Sequence, residues 1–204
     1  MSGRDVFINC PFTVDYQAHF QAIVFTVVRS GFAPRCARES DDGGEVRLDK
    51  ICRIIRQCPY SVHDISKTEL DADSGLPRFN MPFELGLFLG AKRFSGRSYD
   101  RRKKTLIFDR DPYRYQSYIS DIAGQDIHDH KGDVDQLIRK LAAWLRDEVR
   151  DPKVPGGFAI AAEFEKFRAD LPAIAADMQL QVSELTFNDL VEVIARWIPK
   201  ARGT

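Results

Sequence analysis

The chain has 204 residues, enough for one domain, or a domain with an appendage, that buries a substantial core. Its 30 basic and 30 acidic residues cancel, so no global field recruits nucleic acid or an anionic membrane. With 44% hydrophobic and 29% charged residues the composition is that of a globular protein, and no apolar run approaches the roughly 20 residues needed to cross a bilayer.

The N-terminus (MSGRDVFINC) lacks the long apolar stretch of a secretory signal and enters a strand directly, which favours a cytoplasmic protein. Val6 to Cys10 forms that strand, ended by Pro11. From Asp15 the spacing of Phe20, Ile23, Val24, Val27 and Val28 is helical, and Gly31 stops it. Phe32 to Ala37 reads as a second strand interrupted by Pro34. A polar loop, Glu39 to Glu45, leads into a helix whose Leu48, Ile51, Ile54 and Ile55 share a stripe. Tyr60 to Ser66 (YSVHDIS) is a buried strand with a polar C-terminal end.

Phe79 to Phe94 (FNMPFELGLFLGAKRF) is the most informative stretch. Pro82 suits a first helical turn, where a missing N–H costs nothing, and Asn80 can cap the free amides. The run LGLFLGA is apolar on every face, so the helix is expected to be largely buried. Glu84 is then a carboxylate at the mouth of a buried helix, either stabilised by the dipole or kept for chemistry. The basic run Lys92 to Lys104 holds seven cations and one acid and reads as a flexible solvated loop.

Thr105 to Asp109 (TLIFD) makes a fourth strand, Ser120 to Asp126 (SDIAGQD) a loop, and the vicinity of Ile127 a short fifth strand. Asp135 to Val149 is an amphipathic helix. Strand and helix thus alternate about five times, which predicts an α/β fold: a parallel five-stranded, flavodoxin-like sheet with helices on both faces. After a break at Lys153 to Gly157 come helical segments at Ala159 to Leu171 and Thr186 to Ile198, the second opened by a capping box of Thr186 and Asp189. They read as a hairpin laid on the core or on a partner subunit. The division expected is an α/β nucleotide-binding domain, 1–152, and a C-terminal helical extension, 153–204.

Several chemistries lack their motifs. No GxGxxG follows the first strand, no GxxxxGK[ST] is present, and neither GxSxG nor HExxH occurs. Cys10, Cys36, Cys52 and Cys58 form no CxxC pair and read as buried free thiols. The DIHDH segment alternates His128 and His130 with acids but offers no third ligand group, so no metal is expected.

The order of strand, Asp64 and Ser66, then Asn80-x-x-x-Glu84-Leu-Gly on an apolar helix, then TLIFD and later SDIAGQD, resembles a broad superfamily. It groups nucleoside 2-deoxyribosyltransferases with TIR and TIR-like domains, and the likeness is greatest to bacterial TIR-like nucleotide-binding proteins of anti-phage defence. It spans roughly residues 5 to 130. The resemblance implies that Glu84 attacks or electrostatically supports C1′ of a ribose as an N-glycosidic bond breaks. It implies an NAD-like nucleotide as substrate rather than cofactor, with no other cofactor, and activity dependent on homo-oligomers. A non-catalytic nucleotide-sensing or oligomerising module is the alternative.

Around Glu84, open α/β sheets build ligand sites at the carboxyl ends of their strands. Asn9, Cys10, Pro11 and Phe12 either meet the ligand there or make an ordinary strand-to-helix turn. Asp64 and Ser66 are ligand contacts or a turn, and Asn80 is a cap that could also orient Glu84 or a ribose hydroxyl. Arg35, Arg38 and Glu39 either bind phosphates or lie in a solvated loop. Asp121 and Asp126 are placed to touch the pocket from the fifth loop. His63 is expected on the opposite side of its strand from Asp64, as a buried, satisfied histidine.

Overall fold

A computed structural model describes residues 3–70, 75–150 and 154–202. Five strands, β1 (Asp5–Asn9), β2 (Ala33–Arg35), β3 (Tyr60–Asp64), β4 (Lys104–Asp109) and β5 (Ile127–Asp129), form one sheet in the order β2-β1-β3-β4-β5. All four pairings are parallel. The helices are α1 (Gln17–Arg29), α2 (Arg47–Gln57), α3 (Asn80–Phe94), a short α4 (Ser98–Arg101), α5 (Val134–Val149), α6 (Gly157–Asp177) and α7 (Phe187–Arg202). The expected flavodoxin-like α/β architecture is the one observed. Chain direction reverses its lateral course between β1 and β3, the point at which such sheets open a crevice.

Strand parity sorts the core into two faces. Val6, Ile8, Val62, Leu106 and Phe108 pack with α1 and α5, whereas Phe7 packs with Ile51, Ile54 and Ile55 of α2 and Phe88 of α3. Helix ends follow local chemistry. Gly31, at φ +79°, lets the amide of Phe32 reach the carbonyl of Val27 and its own amide reach Val28, closing α1. Asp133 caps α5 by accepting from the amides of Asp135 (2.8 Å) and Gln136 (3.3 Å).

The C-terminal helices lie on the core. Phe164, Phe167, Phe187, Val193, Ile194 and Trp197 belong to the same apolar cluster as Val6 and Ile8. Phe25 of α1 sits within 5.6 Å, ring to ring, of Phe164, Phe167 and Trp197. Arg29 adds a bidentate ion pair to Glu163. The division expected at 152/153, with Lys153 of the break, lies outside the described residues; the hairpin itself shares one core with the sheet. The capping box forms as expected, Thr186 N–H donating to Asp189 Oδ2 at 2.9 Å and Asp189 N–H to Thr186 Oγ1 at 3.2 Å.

Two expectations are corrected. The basic run is partly structured: Lys103 is fully buried, donating to the carbonyls of Ile55 and Cys58, both at 2.7 Å, at the C-terminal end of α2. Helix α3 is buried on one side only. Met81, Glu84, Leu85 and Phe88 face inward, while Phe83 (54% exposed) and Phe94 (83%) face out, because the helix has the sheet beneath it and no described element above.

Glycines report where backbones meet. A Cβ on Gly157 would stand 2.6 Å from Cα of Arg139, whereas one on Gly86 would meet open space. Gly157→Ala is therefore expected to destabilise the protein by about 1–3 kcal/mol through overpacking. Gly86→Ala, on an exposed helix face, is expected to stabilise it by about 0.5–1 kcal/mol. Denaturant unfolding of the two variants reads both signs.

Candidate functional site

At the carboxyl edge of β1, beside the first turns of α2 and α3, lies a cavity of about 140 Å³. Asn9, Cys10, Pro11, Phe12 and Thr13 form one wall, Asn80, Met81 and Glu84 another, and Arg47, Lys67 and Arg78 complete it. Of the residues singled out in the sequence, Glu84, Asn9, Cys10, Pro11, Phe12 and Asn80 are brought together here.

Glu84 is 7% exposed and makes no hydrogen bond or ion pair among the described residues. Burial raises its carboxyl to about 7, with the Arg47 charge pulling weakly the other way. It stands one turn inside α3, beyond the first-turn amides where a helix dipole acts most strongly. Asn80 does not cap: Phe79 holds the N-cap position without a side-chain bond, and Asn80 is the first helical residue, facing the cavity.

Asn9 ties the site to the sheet. Its Nδ2 donates to the carbonyl of Met81 at 2.8 Å and meets His63 Nδ1 at 2.8 Å. A carbonyl can only accept, so the amide nitrogen must be the atom facing Met81, and its second proton must go to the imidazole lone pair. His63 is fully buried, and burial lowers it to about 3, so it is neutral with its proton on Nε2. Phe7 and Phe88 meet its ring edge-on, at 5.8 and 5.5 Å.

Cys10 is buried and its thiol is pushed well up by that burial, so it stays protonated. Phe12 carries the guanidinium of Arg38 over its ring at 4.9 Å. Arg38 thus backs the wall but does not line the cavity. Lys67 pairs with Asp15.

Three further expectations fail on geometry. Asp64 is adjacent to His63 and therefore points to the α1/α5 face, away from Glu84. There it accepts from Tyr16 Oη and from the Ser66 amide (2.8 Å) and lies 3.1 Å from His130 Nε2. Burial alone would raise this carboxyl, but the bonds from His130, Ser66 and Tyr16 hold it below its ordinary value. Ser66 is buried beside it, its carbonyl taken by Arg114. Asp121 and Asp126 are exposed and outside the cavity wall; the half-buried Arg35 and Glu39, which pair with each other at 2.6 Å, also lie outside it. No group of three or more metal-ligating side chains occurs among the described residues, and His130 is spent on Asp64.

Arg47, Arg78, Lys67, Thr13 and Met81 are site residues that the sequence reading did not select. His63 was selected only as core. The parity of β1 and β3, which sets Asn9 and His63 on one face, was the available signal.

No protein-family model matches the chain, and no curated protein matches it.

The Glu84 carboxyl has a testable cost. Its folded value, about 7, lies above the ordinary 4.5, so the folded state holds the proton more tightly. The cost is absent below about pH 4.5, grows as pH rises, and is complete above about 7, where it amounts to about 3 kcal/mol. Glu84→Gln carries no such cost. Its stability relative to the parent is expected to rise by about that amount between pH 4.5 and 8, read from denaturation midpoints.

Proposed function

We propose that this chain is a TIR-like N-glycosidic hydrolase or transferase that cleaves NAD or a related nucleotide. The observation that carries this reading is Glu84: one buried carboxyl, without a partner among the described residues, facing a cavity at the sheet's switch point. Breaking a C–N glycosidic bond develops an oxocarbenium ion, and a carboxylate about 3 Å from C1′ stabilises or traps it. The bonding electrons leave with the nicotinamide nitrogen, which departs neutral and needs no proton. Water then adds to C1′ and releases one proton. A lone carboxyl suffices for such a leaving group, and among the described residues the cavity wall holds no second acid.

Electrostatics supports the same substrate. The nicotinamide ring of NAD is a cation, and its arrival beside Glu84 favours the ionised carboxylate. Arg47, Lys67 and Arg78 supply positive charge for the phosphates. The cavity is smaller than the roughly 300 Å³ at which whole-ligand pockets begin, so it holds the sugar ring while the rest of the dinucleotide runs over the rim. A cytoplasmic setting suits four free cysteines, and a role in bacterial anti-phage defence or signalling is part of the proposal. Among the described residues no helix is long and apolar enough to cross a membrane.

Incubation with NAD is expected to release nicotinamide, and Glu84→Gln to abolish the release. The pH profile of kcat/KM is expected to rise through about 7 as the carboxyl ionises. Unchanged turnover in the variant overturns the mechanism. Nucleotide binding without turnover supports the sensing module instead.

The outer face of α3 favours assembly as a second component of this reading. Phe79 at the N-cap and Phe83 and Phe94 of the helix all stand exposed, at 67, 54 and 83%. Light scattering is expected to give a mass above one chain for the parent and a smaller one for Phe83→Asp.

A further inference from the structure

Asn9 and His63 form a pair whose chemistry the cleavage reaction leaves unused. Both protons of the Asn9 amide are committed, one to the Met81 carbonyl and one to His63 Nδ1. The remaining polar atom, Oδ1, accepts no hydrogen bond among the described residues, and the side chain belongs to the cavity wall that also contains Glu84. A side-chain amide can normally exchange its two ends by rotating about χ2. Here rotation would set oxygen against the Met81 carbonyl, an acceptor-to-acceptor contact in a buried place that the carbonyl has no proton to relieve. It would also force the single proton of the neutral imidazole from Nε2 to Nδ1.

We propose that the Met81 carbonyl, with His63 as a positioning residue beside it, holds Asn9 Oδ1 toward the cavity, where Oδ1 and the Glu84 carboxylate together accept hydrogen bonds from two neighbouring hydroxyls of a furanose. Two acceptors in one small cavity call for two donors on the ligand. A ribosyl ring supplies them as its vicinal diol; a 2′-deoxyribosyl ring supplies one and leaves a buried acceptor unpaired. Sites that hydrogen-bond a hydroxyl reject the analogue lacking it far more strongly than apolar pockets reject a missing methylene. The pair therefore sets sugar specificity for the same cavity, and the inference rests on reading that cavity as a sugar site.

Calorimetric titration of the full chain with NAD, and with the analogue whose nicotinamide-bearing ribose lacks its 2′-hydroxyl, tests this. The parent is expected to bind the ribosyl form at least about tenfold more tightly, the difference appearing in kcat/KM where turnover occurs. His63→Leu leaves only the Met81 carbonyl to orient the amide and is expected to reduce the preference by about threefold or more. His63→Asn, whose amide oxygen can stand where Nδ1 stands, is expected to restore the preference, an outcome that loss of packing alone would not produce. Asn9→Ala provides the second route if His63→Leu fails to fold, and it too is expected to lose the preference. Nitrogen-15 spectra of the parent are expected to show Nδ1 of His63 unprotonated and accepting. Equal affinities in the parent, a preference undiminished in His63→Leu or surviving in Asn9→Ala, or a protonated Nδ1 each overturns the inference and leaves the cleavage reading intact. A ribosyl preference without nicotinamide release upholds it and removes the cleavage reading. Binding of neither ligand overturns both.

Discussion

The amide of Asn9 ties α3 to the carboxyl ends of two strands that already pair in the sheet. It extends from the end of β1, takes the carbonyl of Met81 in the first turn of α3, and leans on His63 at the end of β3. The first turn of α3, one turn ahead of Glu84, is held to β1 by the bond to Met81, made by a buried side chain. Each such bond is modest in net free energy, about 1 kcal/mol, but leaving either acceptor unmet in a buried site costs more than the bond contributes. This asymmetry makes the arrangement specific.

Parity then divides the chemistry of the sheet's carboxyl edge. Asn9 and His63 look toward α3, while Asp64, one residue on, looks toward Tyr16 and His130. Asp64 and Glu84, two acids near this edge, consequently meet opposite fates. Asp64 is saturated with donors and held ionised; Glu84 has none among the described residues and sits near half-protonation at neutral pH. A fold gains nothing in stability from the second situation, and proteins retain such groups where a ligand completes them.

Much of this was legible before any coordinates. The alternation of apolar periods announced the parallel sheet, and the isolation of Glu84 in an uncharged stretch marked it as unusual. Gly31 and the Thr186–Asp189 pair announced the ends of their helices, because capping is local chemistry. What stayed hidden was non-local. Nothing in the residues around Arg47 and Arg78 sets them apart; only the first turn of α2 and the approach to α3 place them on one cavity. Asp64 was selected because it ends a strand, although its own neighbour His63 had been assigned the opposite face; following that alternation through would have removed it. The apolar run of α3 was read as burial, but composition alone does not say whether a helix faces its own core or something outside the chain.

The sharing of one core by α1 and the C-terminal hairpin has a consequence for biosynthesis. Phe25, near the start of the chain, is covered by Phe164, Phe167 and Trp197, more than a hundred residues later. At roughly 5–20 residues per second, a ribosome needs several seconds or more to travel between them. Throughout that interval the outer side of α1 stands bare on the nascent chain, so this region closes only once Trp197 has left the exit tunnel.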